Sequence, residues 1–261
     1  MLTNVIYNED CIETMRRIEG GVNIVITSPP YNTSRTNASD SQKNFDTYQQ
    51  RYDSYLDGIT DEQYCDWTTK VFEGFDKVLT KNGCVLYNIS YGSENPNTMW
   101  LAIAEVLKKT NFMIADCIAW KKKAALPNNT SPNKLTRIVE FVFVLCRKSE
   151  CETFYANKEK TKVNSAGQQY YENVFNFIEA PNNDENCPIH KATFSTMLCR
   201  KLMLLYTKEG DIVYDPFMGT GTTAVACIKE NRRYIGSEIS KRYCDWAEKR
   251  IKNETMQYTL F

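Results

Sequence analysis

Residues 27–32 read TSPPYN and directly follow the apolar run VNIVI at 22–26. Two adjacent prolines supply no backbone donor and fix φ, so a strand arriving at Thr27 must end there and leave the sheet along a rigid path. The Ser28 hydroxyl and the Pro29 carbonyl then stand as acceptors beside the flat ring of Tyr31. Such a group can hold a planar ligand that carries hydrogens to donate. The same stretch also suits a stiff turn with a packed tyrosine, the commoner use of prolines after a strand.

A second stretch, DPFMGTGTT at 215–223, joins an apolar run to a helical pattern. Gly219 and Gly221 permit a tight turn, and the amides opening the following helix can receive polar ligand groups. Glu238 follows the next apolar run at the distance where an acidic side chain accepts hydrogen bonds from a ribose diol. Position 224 is Ala rather than the third glycine of a dinucleotide fingerprint, and the lysine of a phosphate-binding loop is missing. A nucleoside cofactor without pyrophosphate suits this pattern better.

Together the two motifs resemble the S-adenosylmethionine-dependent DNA methyltransferases that modify exocyclic amines, cytosine N4 or adenine N6. TSPPY matches their D/N/S-P-P-Y/F/W catalytic motif, and DPFMGTG at 215–221 matches their F-x-G-x-G cofactor loop. With the catalytic motif first and the cofactor loop last, the order is that of the β class, and the resemblance covers nearly the whole chain. It implies a catalytic group of Ser28, Pro29, Pro30 and Tyr31. For the cofactor it implies Asp10 at the adenine, Asp215, Pro216, Phe217, Gly219, Gly221 and Thr222 in the loop, and Glu238 at the ribose. His190, in HKATFS at 190–195, would help hold the methionine end, although Lys191 and Ser195 stand where the family commonly has prolines.

An exocyclic amine is a poor nucleophile because its lone pair is delocalised into the ring. If Ser28 and the Pro29 carbonyl accept its hydrogens, the nitrogen is drawn towards sp³ geometry and its lone pair is freed. A base gripped in this way must leave the duplex, at an unstacking cost of roughly a few kcal/mol. Direct transfer needs no covalent intermediate, and none of the ten cysteines follows a proline as in the cytosine C5 enzymes. Within the family S-P-P-Y is more common for cytosine N4 and D-P-P-Y for adenine N6. Cytosine N4 is therefore favoured, with adenine N6 as the alternative to which Asn32 points, because P-P-Y-N is frequent among adenine enzymes. A Pro-Pro-Tyr cradle also suits an RNA base or a protein amide, and a DNA-binding module without turnover is a third possibility.

The elements that must position these residues alternate. Short apolar runs at the N-terminus, VNIVI, CVLYNIS, MIADCIAW, EFVFVLCR and DIVY are separated by helical patterns near 11–18, 60–83, 98–112 and 194–208. This predicts an α/β fold, a three-layer doubly wound and mostly parallel sheet. MIADCIAW and EFVFVLCR are candidates for antiparallel pairing. The chain divides into a catalytic half at 1–147, a small target-recognition insertion at 148–187 and a cofactor-binding half at 188–261. The long polar stretch 32–58 reads as a loop, with Tyr48, Tyr52 and Tyr55 as candidates to approach DNA.

The net charge is zero, but residues 119–162 hold ten Lys or Arg against four Asp or Glu, a local +6. Lys121, Lys122, Lys123, Lys134 and Arg137 are candidate phosphate contacts on duplex DNA carrying a specific short site. The ten cysteines form no C-x-x-C pair and the only histidine is His190, so no metal site is expected. Reduced, buried thiols and the lack of a membrane-length apolar segment predict a cytoplasmic protein, and the family resemblance implies one that is bacterial, or phage- or virus-encoded and acting inside the host cell. A homodimer and a cognate restriction endonuclease are expected as partners from the family resemblance.

Overall fold

A computed structural model describes residues 1–32, 59–90, 96–125, 131–183 and 194–258. Its centre is an eight-stranded sheet in the order β1-β10-β9-β2-β3-β5-β4-β8. The strands are β1 (Val5–Tyr7), β2 (Val22–Thr27), β3 (Leu79–Ile89), β4 (Phe112–Lys122), β5 (Val139–Arg147), β8 (Phe177–Ala180), β9 (Ile212–Asp215) and β10 (Arg233–Ser237). β6 (Lys160–Val163) and β7 (Gln169–Tyr171) form a separate hairpin. Every pairing in the large sheet is parallel except those of β5, which runs antiparallel to both β3 and β4. The expected antiparallel pair is thus present. Seven strands consequently deliver their C-terminal ends to one edge.

The two faces of the sheet are covered by different helices, which explains the continuous apolar runs. Val25 of β2 and Val85 and Tyr87 of β3 pack against α1 (Cys11–Arg17), α2 (Asp61–Val78) and α3 (Thr98–Lys109). Ile24, Ile26, Cys84 and Leu86 face α4 (Thr196–Tyr206) and α5 (Thr222–Lys229), with α6 (Lys241–Tyr258) beside α5. The nine described cysteines are free thiols. Cys84, Cys146 and Cys227 are buried, while Cys117 is half-buried. Trp120 is buried on the α4–α5 side, whereas Trp100 is half exposed and lies against Phe141 and Phe143.

α2 begins where the sequence signals it. Thr60 and Gln63 make a reciprocal capping box, with Asp61 and Glu62 in the first turn. Its end differs from expectation. The Asn82-Gly83 pair, read as the helix stop, lies inside β3, and the helix ends at Val78. Between Val22 and Ile24 of β2 the partners on β3 jump from Leu79 to Cys84, so the pair bulges. Asn82 adopts φ 63°, and a Cβ on Gly83 would stand 2.9 Å from the Asn23 carbonyl oxygen. The turn chemistry in the sequence is real, but it makes a bulge.

Arg147 supplies the missing helix stop. It donates to Asp76 Oδ1 at 2.5 Å and to the carbonyls of Asp76, Leu79 and Thr80 at 2.7, 3.0 and 2.9 Å. These are the carbonyls left over where α2 gives way to β3. Arg147→Met would leave these carbonyls without their donor and the Asp76 carboxylate with Asn111 alone. We expect urea denaturation to show a loss of about 2–4 kcal/mol, the scale for breaking a buried charged network.

Residues 148–187 include a stretch tied beneath the sheet, where Asn157 donates to the carbonyls of Leu204 and Thr207. They also include the β6–β7 hairpin and β8, which pairs with β4 and so belongs to the central sheet. No helix among the described residues is long and apolar enough to cross a membrane.

Candidate active site

β2 and β9 lie side by side at the centre of the sheet, with Ile24 opposite Val213 and Val25 opposite Tyr214. From β9 the chain crosses by α5 to β10, and from β2 it crosses by α2 to β3 on the opposite side. The crevice at the carboxyl ends of these two strands is therefore a topological switch point, where open α/β sheets bind ligands. Both sequence motifs open into it.

Asp215 joins them. Its Oδ1 accepts from Thr27 Oγ1 at 2.6 Å and from the Phe217 amide at 3.0 Å, and its Oδ2 accepts from Thr223 Oγ1 at 2.5 Å. The side chain is 1% exposed. Both oxygens are taken by protein donors, so the carboxylate positions the cofactor loop rather than facing a ligand. Burial raises its pKa to about 6, against the lowering effect of Thr223, Thr27 and the Phe217 amide.

The loop itself turns at Gly219 (φ 53°) and Gly221 (φ 87°). Glu238, just beyond β10, accepts from the Gly219 amide through Oε2 and from the Ser240 amide through Oε1, both at 2.8 Å. The carboxylate is thereby fixed against the cofactor loop. Asp10 lies at the same end of neighbouring β1, exposed, with Oδ1 capping α1 through the Ile12 amide at 2.7 Å.

Two residues of the loop also have partners within the fold. The Thr222 hydroxyl turns towards α6, where Arg250 donates to it at 3.1 Å and also reaches Thr196 Oγ1 at 3.1 Å. A Cβ on Gly221 would meet Ala247 Cβ at 3.0 Å, so this glycine is required by helix packing as well as by its positive φ. Phe217 is half-buried against Trp67, with ring centroids 5.4 Å apart.

The residues present suit a nucleoside cofactor with a carboxylate. α5 starts at Gly221, which offers no side-chain cap to the amides of its first turn. The Thr220 hydroxyl is buried in the same loop with no hydrogen-bond partner among the described residues. Glu238 adds the acceptor a ribose requires. No group of His, Cys, Asp and Glu among the described residues could hold a metal. His190 lies outside the described residues, as do Tyr48, Tyr52 and Tyr55.

On the other side of the crevice the prolines do turn the chain out of the sheet. The Tyr64 hydroxyl donates to the Pro30 carbonyl at 2.7 Å, fixing the turn to α2. Asn32, buried at φ 51°, donates through Nδ2 to the Ile59 carbonyl at 2.8 Å and so joins the two ends of the 33–58 segment. Ser28 Oγ lies 3.0 Å from the Tyr31 hydroxyl, which donates towards Glu140 Oε2 at 3.2 Å and Asn88 Oδ1 at 3.4 Å.

Glu140 also pairs with Lys122. Lys122 is thus ion-paired beside Tyr31, and Lys121 is paired with Glu179 at 3.1 Å. Lys123 and Lys134 are exposed and Arg137 is half-exposed on the β4–β5 connection, which leaves the sheet at the same end. Glu140, Asn88 and Tyr64 did not stand out in the sequence. The available signal was a single acid heading the otherwise apolar EFVFVLCR.

Comparison with known proteins agrees with this geometry. Residues 22–249 match the DNA methylase family of N6 and N4 enzymes. The chain belongs to that family. The type II methyltransferase M.Cfr9I of Citrobacter freundii is 27% identical, covering 95% of this chain and 88% of its own. The fold resembles the cytosine-N4-specific PvuII DNA methyltransferase at TM-score 0.70 and 18% identity, over 97% of this chain and 92% of that one. It also resembles M1.HpyAVI in complex with S-adenosylmethionine, at TM-score 0.58 and 24% identity, over 94% and 98%.

The raised Asp215 pKa has a testable sign. A carboxyl held above its ordinary value of 3.8 favours the fold below that pH, and this contribution is lost as pH rises through about 6. Relative to an Asp215→Asn variant, the wild-type protein should lose ~2 kcal/mol of stability between pH 4 and pH 6.5. Denaturant unfolding of both proteins across that range checks this, and a pH-independent difference would contradict it.

Proposed function

We propose that this DNA methylase transfers a methyl group from S-adenosylmethionine to N4 of a cytosine extruded from duplex DNA. The observation that carries the choice of base is Ser28, a neutral hydroxyl in the position where adenine enzymes of this family usually have a carboxylate. Asn32 does not weigh against it, because its amide is spent on the Ile59 carbonyl and its role is in the backbone turn.

Bound S-adenosylmethionine supplies the methyl group at the Asp215–Gly221 side of the crevice. The chain's own task is to present the amine. The Pro30 carbonyl is taken by Tyr64, so we assign the amine's acceptors to Ser28 Oγ and the Pro29 carbonyl. Two acceptors fixed by a proline pair restrict the amine to one orientation and draw its lone pair out of conjugation. The Tyr31 ring, packed against the α1–α3 core, gives the extruded base a face to stack on. The proton lost after transfer can pass to water, so no buried general base is required.

We extend the proposal to recognition of a specific short site by residues 148–187. Lys123 and Lys134, exposed, and Arg137, half-exposed, on the β4–β5 connection are assigned as phosphate contacts. The type II designation of the relative supports a cognate restriction endonuclease as partner, and family resemblance supports a homodimer.

The test is incubation of the protein with unmodified DNA and labelled S-adenosylmethionine, then nucleoside digestion and mass spectrometry. N4-methylcytosine is the expected product. N6-methyladenine would keep the site and reverse the base. Tyr31→Ala should retain cofactor binding by calorimetry yet raise the KM for DNA, since a lost stacking contact costs about 1–3 kcal/mol.

A further inference from the structure

The hydrogen bonds around Tyr31 have a direction, and that direction bears on how a neutral serine can do the work of a carboxylate. Asn88 is oriented by donating its Nδ2 to the Phe141 carbonyl at 3.1 Å, so its Oδ1 faces the Tyr31 hydroxyl. Glu140 presents Oε2 to the same hydroxyl at 3.2 Å, while its Oε1 is held by Lys122. Both neighbours are acceptors, and one is charged. A tyrosine hydroxyl has a single proton, and an ionised acceptor is the stronger claimant. With that proton directed at Glu140, the oxygen of Tyr31 turns its lone pair to Ser28, 3.0 Å away.

We infer that Glu140 is a positioning residue for methyl transfer: its charge, passed through Tyr31, fixes the Ser28 hydroxyl as a donor to Tyr31 and so leaves its lone pairs to the target amine. This rests on the catalytic assignment of Ser28 made above. A serine hydroxyl is otherwise free to donate to the ring nitrogen beside the amine or to turn its proton towards the amine itself. Chains of hydrogen bonds also polarise one another, so a carboxylate at the far end strengthens the acceptor at the near end. No proton moves along the chain. Lys122 keeps the carboxylate in place, side-chain exposure being 23% for Lys122 and 13% for Glu140, and it sits 5.1 Å from the Trp120 ring centroid.

The experiment is a set of variants assayed on a short duplex carrying the methylated site, once that site has been mapped by sequencing of modified DNA. Glu140→Gln keeps the shape and removes the charge. Tyr31→Phe keeps the stacking ring and cuts the chain. Each should lower kcat by about 10–100-fold, the scale on which one positioned charge or acid–base group acts, with the KM for DNA and the cofactor affinity little changed. Because both break one chain, the double variant should be no slower than the slower single variant. Ser28→Asp should make the enzyme insensitive to Glu140→Gln, since the charge then stands at the amine.

An unchanged kcat in Glu140→Gln, or losses that multiply in the double variant, would overturn the inference. Ser28→Ala separates the two levels. If it abolishes transfer while Glu140→Gln leaves kcat unchanged, only the role of Glu140 falls. If Ser28→Ala transfers methyl at the wild-type rate, the catalytic assignment itself falls. Thermal unfolding and cofactor calorimetry of each variant show that the fold and the other half of the site are intact.

Discussion

The arrangement depends on one buried carboxylate. Asp215 ends β9, the strand that begins the cofactor unit, and Thr27 ends β2, the strand that begins the catalytic unit. The bond between their side chains, with those from Thr223 and the Phe217 amide, ties two segments nearly 190 residues apart in sequence into one wall. A charged group in such a place is costly unless its acceptor sites are met. Three donors meet them only partly, which is why burial still raises the pKa. Stability is thereby exchanged for a fixed relation between the donor and acceptor halves of a transfer reaction, where small displacements are expensive in rate.

Direction of the strands does the rest. Because only β5 runs against the others, β1, β2, β3, β4, β8, β9 and β10 all end on the crevice side. The chain therefore leaves the sheet towards that side after the catalytic motif, after β3, through the basic β4–β5 connection and after β8. The same reversal brings the first turn of β5 to that side, with Glu140 opposite Trp120 and Phe141 opposite Ile89. An antiparallel strand in a parallel sheet thus adds a residue from its N-terminal end to a site otherwise built from C-terminal ends.

Much of this was legible from sequence because it rests on local rules. Prolines after an apolar run, glycines before a helix and an acid after the next strand each have a backbone or ligand reason, and they fall just beyond β2, β9 and β10. The alternation of elements gave the layers, and the helical pattern from residue 60 gave the start of α2. What could not be seen depends on register. The Asn82-Gly83 pair carries the chemistry of a helix stop or a bulge equally well, and only the pairing of β3 with β2 decides between them. The ion pair between Lys122 and Glu140 also requires knowing that Glu140 lies across from Trp120. Thr222 likewise belonged to a cofactor motif by position, yet its hydroxyl answers to Arg250 on a helix that follows it.

The charges around the crevice also show why a chain with no net charge can handle a polyanion and a cationic cofactor. Negative groups line the interior: Asp215 is buried under the loop, Glu238 clamps it from the β10 side, and Glu140 closes the far end. The positive groups nearest to them are either paired, as Lys122 is, or carried outward on the β4–β5 connection with Lys123 and Arg137. A sulfonium centre is favoured inside such a wall, and phosphates are favoured at its rim. Separation of sign by depth, rather than excess of one sign, lets one crevice accept both. The total charge of the chain is consequently a poor guide to its partners, and the position of each charge along a strand is a good one.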